Sequence, residues 1–93
     1  MAAYIVFFRE SPVRDPEAMV EYRKGRAQGF DMTPLAAYGA QEALEGEAPD
    51  GVVILKFPTM EEARAWYHSP EYQAVAPFRQ KAADYRAVIV EGL

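Results

Sequence analysis

Two segments of this 93-residue chain, Ala3–Phe8 and Val52–Phe57, are β-branched and aromatic but lack the apolar–polar alternation of a half-exposed strand. In the first, Tyr4, Val6 and Phe8 are apolar, and so are Ile5 and Phe7; in the second only Lys56 interrupts. A strand that is apolar on both sides of its pleat expects cover on both sides. That demand excludes a sheet with one face in water unless something else supplies the second cover.

The other elements follow from local signals. Asp15-Pro16-Glu17 opens a helix: Asp15 accepts from free amides, Pro16 wastes no donor in the first turn, and Glu17 suits the positive end of the dipole. Met19, Tyr22, Arg26 and Phe30 then recur on one side, which predicts a helix over about 15–28, with Gly25 and Gly29 weakening its end. Between Asp31 and Glu45, Thr33-Pro34 reads as a breaker and Leu35 to Tyr38 as strand or helical turn. Gly39 suggests a bulge, and Gln41 to Leu44 a short edge strand. Gly46 to Gly51 is a turn by composition, and Pro58 stops the second apolar strand.

The stretch from Phe57 to Tyr72 carries the only Trp and the only His. Thr59 followed by Glu62 predicts a capping box at the start of a helix on which Met60, Ala63 and Tyr67 share a face, with Trp66 beside it. Ser69-Pro70-Glu71 repeats the cap-and-proline opening. The new helix places Tyr72, Val75, Ala76, Arg79 and Ala83 along one line, with Pro77 an expected kink. Tyr85 to Glu91 is the last strand.

Strand, helix, strand, strand, helix pair, strand is the βαββαβ, ferredoxin-like plan: an α+β fold, expected as a single domain over residues 1–93. Its first and third strands are central in a four-stranded antiparallel sheet, and here those are the two most apolar. Helices in this plan cover one face only. The other face exposes more contiguous apolar surface than a monomer tolerates, which predicts packing against a second copy in a two-fold dimer.

Composition narrows the function classes. Without cysteine, a disulfide scaffold, a thiolate-bound metal and a thiol nucleophile are excluded. A net charge of −4 argues against nucleic acid or an anionic membrane as partner. No run approaches a membrane span, and the apolar N-terminus lacks a basic leader, so a cytoplasmic protein is expected.

The run Gly51-Val52-Val53-Ile54-Leu55-Lys56-Phe57-Pro58-Thr59, then Ala63-Arg64-Ala65-Trp66-Tyr67, Ser69-Pro70-Glu71-Tyr72 and Arg79, and the closing Val90-Glu91-Gly92 resemble a bacterial family. Leu44-Glu45-Gly46 also fits. The family is the domain of unknown function thirteen-thirty, and the resemblance covers nearly the whole chain. It implies a dimeric α/β-barrel in which two ferredoxin-like sheets face each other. The superfamily includes cofactor-free monooxygenases, isomerases and haem-degrading enzymes, while the family itself implies no reaction.

The candidate site residues are few. His68 reads first as a solvated imidazole near a helix C-terminus, and alternatively as a general base or haem ligand. No cofactor and no metal are expected, haem being the remote alternative. Trp66, Tyr67 and Tyr72 read as core, yet their polar tips can line an apolar pocket. Arg79 must be paired or reach solvent, with Glu71, Glu62 or a backbone carbonyl as expected partners. Otherwise it anchors an anionic ligand such as a small carboxylic acid. Lys56 shares strand parity with Val52 and Ile54 and reads as a rim or edge charge. The glutamates read as caps and solvated faces. Two functional readings remain open. One is a homodimer binding a small, partly apolar molecule, with cofactor-free chemistry in which His68 carries the proton. The other is a non-enzymatic dimeric binder or scaffold.

Overall fold

The computed structural model describes residues 1–25 and 29–93. Seven elements follow in order: β1 (Ala3–Arg9), α1 (Pro16–Lys24), β2 (Thr33–Ala37), β3 (Gly51–Phe57), α2 (Met60–Tyr67), α3 (Pro70–Ala82) and β4 (Tyr85–Glu91). The strands form one antiparallel sheet in the order β2-β3-β1-β4, so β1 and β3 are central, as their apolar character requires. All three helices lie on one face.

Register sorts the side chains. Ile5 stands opposite Leu55 and Ile89, and Phe7 opposite Val53 and Ala87, all on the helix side. Ala3, Ile5, Phe7, Leu55 and Phe57 join Ala63, Trp66, Tyr72 and Ala76 in the main core. The opposite parity, Tyr4, Val6 and Phe8 with Val52 and Ile54, and Val88 and Val90 with them, faces away from the helices. Lys56 lies on that open face, across from Tyr4 and Thr33, and is exposed.

The helices start where their caps allow. Asp15 accepts the Ala18 amide at 3.0 Å, with Pro16 in the first turn. Thr59 Oγ1 accepts the Glu62 amide at 3.1 Å, but the returning carboxylate bond of a full capping box is not formed among the described residues. Ser69 ties two helices together: its hydroxyl donates to the Trp66 carbonyl at 2.7 Å and accepts the Tyr72 amide at 3.2 Å. Helix α3 continues through Pro77, which removes one backbone donor without ending the helix.

Four expectations need correcting. Helix α1 ends at Lys24, with Gly25 already extended at ψ 135°. Gly25, just past the end of α1, lies hard against α3: a Cβ there would lie 2.4 Å from Val75 Cγ1, so the position needs a residue without a side chain. The expected placement of Arg26 on the helix face, like the expected helix end at 28, falls outside the described residues. Thr33-Pro34 is no breaker but the start of β2, because an edge strand can leave the missing proline amide unpaired. The bulge falls between Pro34 and Ala36 rather than at Gly39. Gln41 to Leu44 is not a strand; with Leu44 exposed, it has no apolar face to bury.

Candidate functional site

The helix layer does not sit evenly on the sheet. α2 packs directly on β1, β3 and β4, whereas α1 packs mainly along α3. Ala18, Met19 and Ala82 form the seam between those two helices. Under the α1–α3 pair, above β3 and the edge strand β2, a cleft of about 430 Å³ remains. Phe7, Val53 and Leu55 form its floor, and Met19, Val75 and Met32 contribute apolar walls. Trp66, Tyr72, Tyr22, Tyr38 and Arg79 complete it, with the exposed Arg23 also in its lining. Such a space, largely apolar with a few convergent polar groups, has the size and character of a small-molecule site.

Arg79 is the dominant charge of the cleft. It is only 4% exposed, yet none of the ion pairs among the described residues involves it. Its Nε donates to the Tyr72 hydroxyl at 3.2 Å, and its guanidinium lies 4.9 Å from the ring centroids of both Phe7 and Tyr85. Aromatic faces suit a weakly hydrated, delocalised cation, which explains how it is tolerated inside. They do not neutralise it. Among the described residues the terminal guanidinium nitrogens make no hydrogen bond, no fully buried side-chain nitrogen or oxygen lacks a partner, and Arg79 lines the cleft. The expected partners Glu62 and Glu71 are both exposed and form no ion pair with it.

Two tyrosine pairs flank this cation. The Tyr22 and Tyr72 hydroxyls lie 3.0 Å apart, and those of Tyr38 and Tyr85 2.6 Å apart. Burial, reinforced by the neighbouring Tyr72 hydroxyl, holds the Tyr22 phenol well above its ordinary value against the lowering influence of Arg79. Burial likewise raises Tyr38, aided by the bond to Tyr85. Both therefore stay protonated and available as donors. Tyr38 has a left-handed backbone at φ 58°, unusual for a bulky residue. Its ring passes over Gly51, where a Cβ would lie 2.5 Å from Tyr38 Cδ1, and beneath the Arg9 guanidinium at 4.6 Å.

The sequence candidates divide. Trp66, Tyr72 and Arg79 meet in the cleft, with the Trp66 and Tyr72 rings 4.1 Å apart. Tyr67 packs against Tyr72 at 5.4 Å but stands outside the lining. His68 caps the C-terminus of α2, is exposed, and stands edge-on to the Tyr67 ring at 5.2 Å. It lines a separate shallow notch over β4 with Arg64 and Ile89. A haem seated in the cleft would find no imidazole there, and among the described residues no cluster of three metal-ligating side chains forms. Tyr22, Tyr38 and Tyr85 were not predicted as site residues. The one available signal was the number of tyrosines, six in the chain.

The sequence model of the family described as a domain of unknown function (DUF1330) matches residues 2–93. The chain belongs to this family. Among curated proteins, no sequence matches the DUF1330 chain. Solved structures resembling it include a protein of unknown function from Rhodopseudomonas palustris, with TM-score 0.72 and 18% identity over 99% of this chain and 82% of that one. An ethyl tert-butyl ether (ethd) family protein from Bacillus halodurans has TM-score 0.63 and 18% identity, covering 100% of both chains. A dimeric ferredoxin-like protein of unknown function from Thermobifida fusca has TM-score 0.57 and 16% identity over 98% of this chain and 90% of that one. These likenesses show that the DUF1330 chain has the ferredoxin-like fold. No helix is long and apolar enough to cross a membrane among the described residues.

Proposed function

We propose that the protein is a homodimer, joined through the open sheet face, whose cleft binds a small, partly apolar molecule by an acidic group on Arg79. The buried guanidinium without a carboxylate carries this reading. With 14 acidic residues against 10 basic ones, the chain has no shortage of counter-charges, yet none is brought to this cation. A cation left in an apolar site is costly, and a ligand carboxylate removes that cost through charge-assisted, paired hydrogen bonds.

Dimerisation is supported by the bare face and by the dimeric state of the Thermobifida fusca protein. Val88 and Val90 on that face are 49% and 51% exposed. The isolated chain has 6204 Å² of accessible surface, against roughly 5,400 Å² for a 10.4 kDa monomer by size scaling. Its slab shape, 32 × 31 × 17 Å, is that of one sheet and one helix layer.

Between chemistry and binding, the lining favours binding. The described lining residues contain no His, Asp or Glu, so the cleft has donors and a cation but no residue type that serves as a base near neutrality. Cofactor-free turnover would then have to draw its reactivity from the bound molecule itself.

A thermal-shift comparison of small carboxylic acids with their primary amides tests the reading, since a ligand of the native state raises apparent stability. The acids should stabilise the protein, the amides should not, and Arg79→Met should abolish the difference. Equal stabilisation by acid and amide overturns it. Arg79→Lys, which keeps the charge but loses the paired geometry, should retain a weakened preference for acids.

A further inference from the structure

The donors around Arg79 specify more than a carboxylate. The Tyr22–Tyr72 pair shares one hydrogen bond but owns two phenolic protons, so one remains for another acceptor. The Tyr72 oxygen already accepts from the Arg79 Nε, which polarises that hydroxyl toward donating to Tyr22. The spare proton therefore belongs to Tyr22, which lines the cleft. Tyr22 also lies within reach of the cation, its ring centroid 6.0 Å from the guanidinium carbon. The described lining contains no side-chain carboxylate or imidazole to take that proton.

Resting on the reading of the cleft as an acid site, we infer that it selects acids bearing a second oxygen acceptor next to the carboxylate. These are 2-oxo or 2-hydroxy acids with an apolar tail. The Arg79 terminal nitrogens take the carboxylate, the Tyr22 hydroxyl donates to the neighbouring oxygen, and the tail lies over Phe7 and Leu55 toward Val75. Tyr22 is then the specificity-determining residue and Arg79 the anchor. A simple alkanoate or arylalkanoate would satisfy Arg79 but offer the phenolic proton no acceptor, and a donor left without its partner is what discriminates between close analogues.

Calorimetric titration of the unmodified protein with phenylpyruvate and 3-phenylpropanoate tests this. Phenylpyruvate is expected to bind roughly tenfold more tightly, the effect of one neutral hydrogen bond. Tyr22→Phe should remove that preference by weakening phenylpyruvate alone, with the circular dichroism spectrum unchanged. Equal affinities in the unmodified protein, or a preference that survives in Tyr22→Phe, overturn the selectivity while leaving the acid site in place. Binding of neither acid, or binding of both that is indifferent to Arg79→Met and Arg79→Lys, overturns the acid site and the selectivity with it.

Discussion

The two faces of the sheet are built from the same strands and nearly the same residue types, yet they have opposite fates. On one, Ile5, Phe7, Leu55 and Phe57 disappear beneath the helices. On the other, Val6, Phe8, Val52 and Ile54 stand only half-covered, and Val88 and Val90 are open. Apolar pattern thus records a demand for cover without saying who supplies it. The helix side is satisfied within one chain, and even there incompletely, because the α1–α3 pair leaves the cleft beneath it. The open side is satisfied, on our proposal, by a second chain.

This contrast breaks first at its strongest point. Phe57 is 1% exposed and packs against Trp66 at 5.6 Å between ring centroids. Phe57→Ala should cost about 3–5 kcal/mol of unfolding free energy, measured by denaturant titration. Next comes the open face. Val88→Lys with Val90→Lys puts like charges on both subunits of a two-fold interface and should weaken association by roughly 3 kcal/mol. Sedimentation should then show monomers at concentrations where the unmodified protein is dimeric. Because both side chains are exposed in the single chain, circular dichroism should still report a folded sheet. A doubly substituted protein that remains a dimer would move the interface elsewhere.

How much of this was legible in the sequence depended on whether a feature is local. The central position of β1 and β3 follows from their own residues, and so do the caps at Asp15, Thr59 and Ser69. The edge strand was read as one of two alternatives over Leu35 to Tyr38, and its start was missed because Thr33-Pro34 breaks a central strand but not an outer one, a distinction made by neighbours far along the chain. The cleft was half-legible. Trp66, Tyr72 and Arg79 lie within one helical corner and could be associated by spacing. Tyr22 meets Tyr72 across a separation of 50 residues, and Tyr38 meets Tyr85 across 47, so only strand register and the α1–α3 crossing bring them together. His68 drew attention by being the only imidazole, but position near an aromatic group in sequence did not place it on the inner side of the helix.

The helix cover itself can be sharpened at Gly25. Gly25→Ala drives a methyl group into Val75 at a point where the two helices have no slack. Overpacking of this kind should cost about 1–3 kcal/mol. Val75→Ala in the same chain should recover part of the loss, and a double-mutant cycle would measure that coupling. If Gly25→Ala is neutral alone, the α1–α3 approach is looser than the structure shows, and the cleft roof with it.

The smallest effect separates two serine-type caps on the same side of the sheet. Ser69 is 6% exposed and holds two bonds, one into α2 and one into α3, whereas Thr59 is exposed and holds one. Ser69→Ala should therefore cost about 1–2 kcal/mol, and Thr59→Ala about 0.5–1 kcal/mol, by thermal or denaturant unfolding. The difference arises because water replaces a lost partner at Thr59 but cannot easily reach the Tyr72 amide beneath Ser69, whereas the Trp66 carbonyl keeps the Ser69 backbone N–H. Equal costs at the two positions would mean that solvent enters the α2–α3 corner, in which case Trp66 and Tyr72 would not be held firmly enough to define one wall of the cleft.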